Sequence, residues 1–121
     1  MRSSLRNLLT AALLGALTAI VLSAALLTAR AQSAAAVGID NVTFNPERIT
    51  VNAGAAVTWT NKDDIPHTVV ASGHAFRSKA LDTDDSYAFT FTTPGTYEYF
   101  CSLHPHMVGT VVVESAGGGA H

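Results

Sequence analysis

The chain of 121 residues contains one cysteine, Cys101, and one methionine besides the initiator, Met107. A single cysteine excludes an intramolecular disulfide, the device by which small exported domains often offset a limited core. An odd cysteine in such a chain points instead to a reactive thiol, an intermolecular bridge or a metal ligand. Basic residues are also scarce. Beyond Ala31 there are four, against nine acidic residues, so that part carries a net charge of about −5 with neutral histidines. That balance argues against a nucleic-acid-binding face. The acids are spread over Asp63–Asp64, Asp82–Asp85, Glu98 and Glu114, the pattern of a solvated surface. There is no internal repeat, no convincing helix in this part and, apart from Cys101 and the histidines near it, no nucleophile–base pair of the kind a hydrolase needs.

The first thirty or so residues have another character. Arg2 and Arg6 precede Leu8–Leu27, which has no charged residue, and Ala29-Arg30-Ala31 follows with small residues flanking one arginine. This order reads as an export signal over residues 1–31, cut after Ala31. The apolar run exceeds the roughly 7–15 residues usual in a signal and reaches the length of about 18 at which a span becomes a candidate. An uncleaved anchor is therefore the alternative, and membrane attachment is expected only in that case. The expected location is periplasmic or otherwise exported. Residues 32–36 read as a linker, 37–115 as one small domain and 116–121 as a flexible tail.

Within the domain the pattern is that of strands and turns. Val37–Phe44 alternates roughly, Glu47–Val51 follows Pro46, and Asn52–Gly54 reads as a turn. Ala56–Thr60 puts Val57 and Trp59 on one face, and His67–Ala71 reads as a strand after the polar loop Asn61–Asp64. Ser86–Phe91 alternates with Tyr87, Phe89 and Phe91 on one side. Thr93–Gly95 is a turn, Thr96–Phe100 sets Tyr97 and Tyr99 against Glu98, and Gly109–Val113 closes the domain. Ser72–Asp85 reads as a long connection with one short strand near Ala75–Phe76. Short β-branched and aromatic runs with regular turn signals indicate an all-β sandwich or barrel of about seven to eight strands. Trp59, Phe89, Phe91, Tyr97 and Tyr99 are its expected core. Asn41–Thr43 matches a glycosylation sequon but falls in an expected strand, so coincidence is the better reading.

Both sulfur side chains of this part lie in one stretch, "FCSLHPHM" (Phe100–Met107). Cys101, His104 and Met107 are spaced three apart, so a thiolate, an imidazole and a thioether can converge on one ion. His67, just after Pro66 at the start of another strand, is the candidate fourth donor. Taken singly, a buried cysteine, a core methionine and a strand histidine are the blander readings; taken together, at strand ends, the four indicate a metal centre. Soft sulfur donors select copper, thioether suits zinc poorly, and calcium wants oxygen. Two His and one Cys with a weak axial Met form the blue-copper electron-transfer pattern. His106 is expected on the far side of the loop from the ion, and His74 and His121 are expected to play no part.

At these residues the sequence resembles the cupredoxins, and within them the amicyanins and, more distantly, the plastocyanins. "VTWTNKDDIPHTV" (Val57–Val69) is similar to the stretch carrying the first histidine ligand, and "PGTYEYFCSLHPHM" (Pro94–Met107) to the last strand and ligand loop. The resemblance implies a Greek-key β-sandwich and one type 1 copper ion, with His67, Cys101 and His104 as equatorial ligands and Met107 as the axial one. It implies redox partner proteins, with an amine dehydrogenase as candidate donor and a c-type cytochrome as candidate acceptor, and a monomeric carrier. It also implies an apolar surface around the edge of His104, which Leu103, Pro105 and Pro66 would supply here. Two positions depart from the family. Thr68 stands where an asparagine often braces the two ligand loops, leaving its backbone N–H to meet the Cys101 sulfur. His106 stands where an apolar aromatic is usual.

An exported one-electron carrier is the leading function, and an enzyme is not expected because a catalytic metal keeps an open position. A copper chaperone or store is the alternative, though such sites are often Met-rich. A zinc module using Cys101, His67, His104 and His106 ranks last.

Overall fold

The computed structural model describes residues 31–116. The expected export signal up to Arg30, the end of the expected tail and His121 lie outside the described residues. Among the described residues, no helix is long and apolar enough to cross a membrane. The described part is all strand: β1 (Gln32–Asp40), β2 (Thr43–Asn45), β3 (Arg48–Asn61), β4 (Val70–Ala71), β5 (Ser86–Phe91), β6 (Gly95–Phe100) and β7 (Val108–Glu114). The hydrogen-bonded order is β2-β1-β3-β7-β6-β4, with β5 also on β3.

The long strand β3 joins the two layers of the sandwich. Its first part, Arg48–Asn52, runs parallel to β7, and Ala55–Thr60 pairs antiparallel with β5. The expected turn at Asn52–Gly54 does not reverse the chain. Gly54, at φ 96°, and a register irregularity in β1 between Gln32 and Ala34 bend the ladder there. A bulge of this kind lets one strand cross from one layer to the next. The expected linker is corrected as well: Gln32–Ala36 forms the first half of β1, parallel to β3. Its alanines carry no strand signal of their own, but β3 offers them an open ladder, and Ala35 packs against the core.

The run Val37–Phe44 is likewise broken. Asn41 and Val42 are both left-handed, at φ 52° and 57°, and form a two-residue turn between the paired Asp40 and Thr43. The sequon asparagine therefore lies on a turn rather than in a strand. The alternations in β5 and β6 hold as expected, with Phe91 and Tyr99 fully buried and Tyr87, Phe89 and Tyr97 half-buried at the margin. Trp59 fills the space between layers: its ring meets Tyr99 edge-on at 5.3 Å and lies 5.6 Å from Phe76. Aromatic pairs at such separations add roughly 0.5–1.5 kcal/mol to the burial of their area. Of His67–Ala71, only Val70 and Ala71 enter a ladder; His67 makes a single bridge to Leu81, and the short strand expected near Ala75–Phe76 is one bridge from Arg77 to Val70.

Candidate metal centre

Strands β6 and β7 form a hairpin whose last paired residues are Phe100 and Val108. Cys101 and Met107 are thus the first residues beyond the ladder on either side. The loop closes on itself: the Cys101 N–H donates to the Met107 carbonyl (3.0 Å), that of Met107 to His104 (2.9 Å) and that of His104 to Cys101 (3.2 Å). Three short backbone bonds hold the loop in one shape, so spacing in the sequence becomes convergence in space. Cys101 and Met107 are buried, His104 is half-buried, and Leu103, Pro105 and His106 are exposed.

The other side of the site comes from the segment after β3. His67 is completely buried, and its backbone exchanges two hydrogen bonds with Leu81 (3.1 and 2.7 Å). Its Nδ1 lies 3.8 Å from Cys101 Sγ, and the Nδ1 of His104 lies 3.7 Å from the same sulfur. One ligand atom from each of His67, Cys101 and His104 falls within 4.8 Å of the other two, and the histidine ring centroids are 5.0 Å apart. His106 is not in this cluster; it lines a shallow cavity of about 120 Å³ with Val42, Phe44 and Glu47.

Three neighbours prepare these donors. Asp63 Oδ2 lies 2.7 Å from His67 Nε2, and the same carboxylate accepts the backbone N–H groups of Asn41 (2.7 Å) and Val42 (2.9 Å). The bond from Val42, reinforced by those from His67 and Asn41, outweighs the cost of burial and lowers the Asp63 pKa from 3.8 to about 2. An ionised carboxylate only accepts, so the His67 proton sits on Nε2 and the Nδ1 lone pair faces the sulfur. Asn61, fully buried, shapes the intervening turn: its Nδ2 donates to the carbonyls of Ile65 and Leu81 (both 2.9 Å), and its Oδ1 accepts the Asp63 N–H (2.9 Å).

Thr68 is the third. Its N–H donates to Cys101 Sγ at 3.3 Å, and its Oγ1 accepts the Ser102 N–H at 2.7 Å. The segments that carry His67 and Cys101 are therefore braced by a hydroxyl. Burial pushes the Cys101 thiol up, yet the hydrogen bond from the Thr68 N–H, the largest of several contacts at the sulfur, brings its pKa down from 9.0 to about 6. The lowered pKa favours the thiolate, the form that binds metals.

A thiolate and two imidazole nitrogens aimed at one buried point, with a methionine in the same closed loop, have the donor chemistry of a copper centre. Sequence reasoning missed Asp63, Asn61 and Ser102. Asp63 reads as one more surface acid, and nothing in its spacing from Asn41 and Val42 signals that they meet.

Comparison with known proteins agrees with the fold. The family model of the cupredoxin-like domain matches residues 10–113. The chain is similar to amicyanin of Paracoccus versutus, 38% identical over 67% of this chain and 65% of that one. It is also similar to amicyanin-alpha of Methylorubrum extorquens, 40% identical over 64% of this chain and 70% of that one. The match thus spans just under two thirds of the first relative's length and just over two thirds of the second's. Among solved structures, a purple cupredoxin from Nitrosopumilus maritimus is 32% identical and superimposes with a TM-score of 0.63, covering 66% of this chain and 99% of that one. With fold, donor chemistry and homology in agreement, the chain belongs to the cupredoxin family.

Proposed function

We propose that the protein is a small exported one-electron carrier that holds one type 1 copper ion on His67, Cys101, His104 and Met107. The observation that carries this reading is the convergence of Cys101 Sγ with the Nδ1 atoms of His67 and His104 at 3.8 and 3.7 Å. Bound copper would supply one-electron chemistry, cycling between Cu(II) and Cu(I). The chain's own residues do the rest. Asp63 keeps the His67 proton on Nε2, Thr68 and its neighbours hold Cys101 as thiolate, and the loop's backbone bonds keep Cys101, His104 and Met107 from moving. Donors held in place favour a site whose shape changes little with its charge. Four protein donors leave no position for a substrate, which favours a carrier over an enzyme.

The path for the electron is the edge of His104, the one half-buried donor, between the exposed Leu103 and Pro105. Donor and acceptor are redox proteins that dock there, an amine dehydrogenase and a c-type cytochrome being the candidates by likeness to the amicyanins. A monomer suits this role. The export signal over residues 1–31 would put the carrier in the periplasm.

A visible spectrum of the purified protein with Cu(II), before and after ascorbate, tests the reading. An intense blue thiolate-to-copper band that bleaches on reduction and returns with ferricyanide is expected. A colourless protein would overturn it, and facile loss of copper to a competing chelator would favour the chaperone reading instead.

A further inference from the structure

Thr68 Oγ1 has three neighbours and one proton. It accepts the Ser102 N–H at 2.7 Å, so its own hydrogen must go elsewhere. Two acceptors are in reach: Ser102 Oγ at 2.7 Å and Cys101 Sγ at 3.8 Å. Thr68 is buried, whereas Ser102 is exposed. A buried hydroxyl has to place its proton within the protein, but Ser102 can give its own to water. The arrangement that gives the Thr68 proton its shortest bond is a relay from the Ser102 N–H to Thr68 Oγ1, from Thr68 Oγ1–H to Ser102 Oγ, and from Ser102 to solvent. An oxygen that already accepts an N–H donates more strongly, which favours the short bond.

We infer that Ser102 is a positioning residue that draws the Thr68 hydroxyl proton away from the Cys101 sulfur and so holds the reduction potential of the site down. The inference rests on the copper reading above. A hydrogen bond to the sulfur stabilises its negative charge. That charge is greater when the ion is Cu(I), because Cu(II) draws more of it from the thiolate. Each donor aimed at sulfur therefore favours the reduced form. With Ser102 Oγ present, sulfur receives the Thr68 N–H at 3.3 Å but only a long, weak contact from the hydroxyl. Without Ser102 Oγ, the hydroxyl has no other partner and turns to the sulfur.

The test is a spectroelectrochemical titration of the copper-loaded protein. Ser102→Ala should raise the ratio of Cu(I) to Cu(II) at a fixed solution potential by roughly three- to tenfold, the effect of a charge-assisted hydrogen bond weakened by its length. Tenfold in that ratio is about 59 mV for a one-electron couple. The thiolate-to-copper band should move to higher energy with it. Ser102→Thr, which keeps the hydroxyl, should restore both values. In a Thr68→Val background, Ser102→Ala should have no such effect, because the proton it releases is gone. A Ser102→Ala potential at or below that of the unaltered protein overturns the inference, as does an equal rise in the Thr68→Val background. Should Thr68→Val fail to fold, the opposed behaviour of the alanine and threonine variants at Ser102 decides alone. A colourless unaltered protein would refute the copper reading itself; a blue one with the wrong response refutes only the role of Ser102.

Discussion

Replacing Asp63 with alanine should cost the metal-free domain about 2–4 kcal/mol at neutral pH. The carboxylate accepts three hydrogen bonds at 2.7–2.9 Å, and charge-assisted bonds contribute roughly 1.5–3 kcal/mol each. Simple addition overshoots, because Asn41 and Val42 are exposed and water can replace their partner. His67 is completely buried, so its Nε2–H would be left with nothing, a penalty of about 1–3 kcal/mol. For a domain of this size each kcal/mol lowers Tm by roughly 4–8 °C, so a fall on the order of 10–25 °C is expected. The pH dependence gives the mechanism away. The Asp63 pKa is lowered to about 2 in the folded protein from 3.8. Its contribution is therefore fully present above about pH 4 and is lost as pH falls through about 2. Urea unfolding of the metal-free protein and of Asp63→Ala, from pH 7 down to pH 2, should show two curves that converge in acid. The convergence amounts to about 1–2 kcal/mol after allowance for solvent screening of a loop carboxylate. Curves that stay parallel down to pH 2, or a variant as stable as the unaltered protein at pH 7, would refute the reasoning.

Other outcomes follow from the same geometry. Val42 holds φ 57° on an exposed turn, a conformation that costs a β-branched residue about 1–2 kcal/mol, so Val42→Gly should raise stability by about 1 kcal/mol in urea unfolding. Gly109→Ala should destabilise by more than about 2 kcal/mol, since the new methyl would overlap the buried Tyr99 ring, whose Cε2 would lie 2.8 Å away; a Tm unchanged from that of the parent protein would contradict this. The Tyr99 hydroxyl is buried beside the Trp59 indole but makes no well-formed hydrogen bond among the described residues, so Tyr99→Phe should be neutral or stabilising by about 1 kcal/mol, and a loss larger than that in calorimetry would show a partner. Asn61→Ala strips three bonds from the turn that carries His67, and should cost about 2–4 kcal/mol and slow copper uptake measured by stopped-flow absorbance; uptake at the unaltered rate would mean the turn keeps its shape without Asn61.

Much of the fold was legible because side-chain alternation is a local property. Ser86–Phe91 and Thr96–Phe100 carry their inward and outward faces in the order of their residues, and the structure buries those faces as expected. The loop Cys101–Met107 was legible for a related reason: three soft or borderline donors at short spacing have little other use, and a tight hairpin loop keeps their separation small whatever surrounds it. The missing disulfide, the acidic balance and the choice of copper over zinc or calcium also rest on residue chemistry alone.

What composition and spacing could not supply were the matters decided between distant segments. Gln32–Ala36 carries no strand signal, and becomes a strand because β3 presents an open edge to it. Asn52–Gly54 has turn chemistry, yet its partners on both sides keep the chain running and use the glycine for a bend. Asp63 looks like any surface acid until the fold sets it 2.7 Å from His67 and against a turn more than twenty residues away. The same holds for Ser102, which meets Thr68 across thirty-four positions of chain. The candidate donors could thus be named from the sequence, since coordination chemistry belongs to each side chain. Which ring nitrogen faces the sulfur, and how many protons the sulfur is offered, was settled only by tertiary structure, because a hydrogen bond depends on distances that no local pattern encodes.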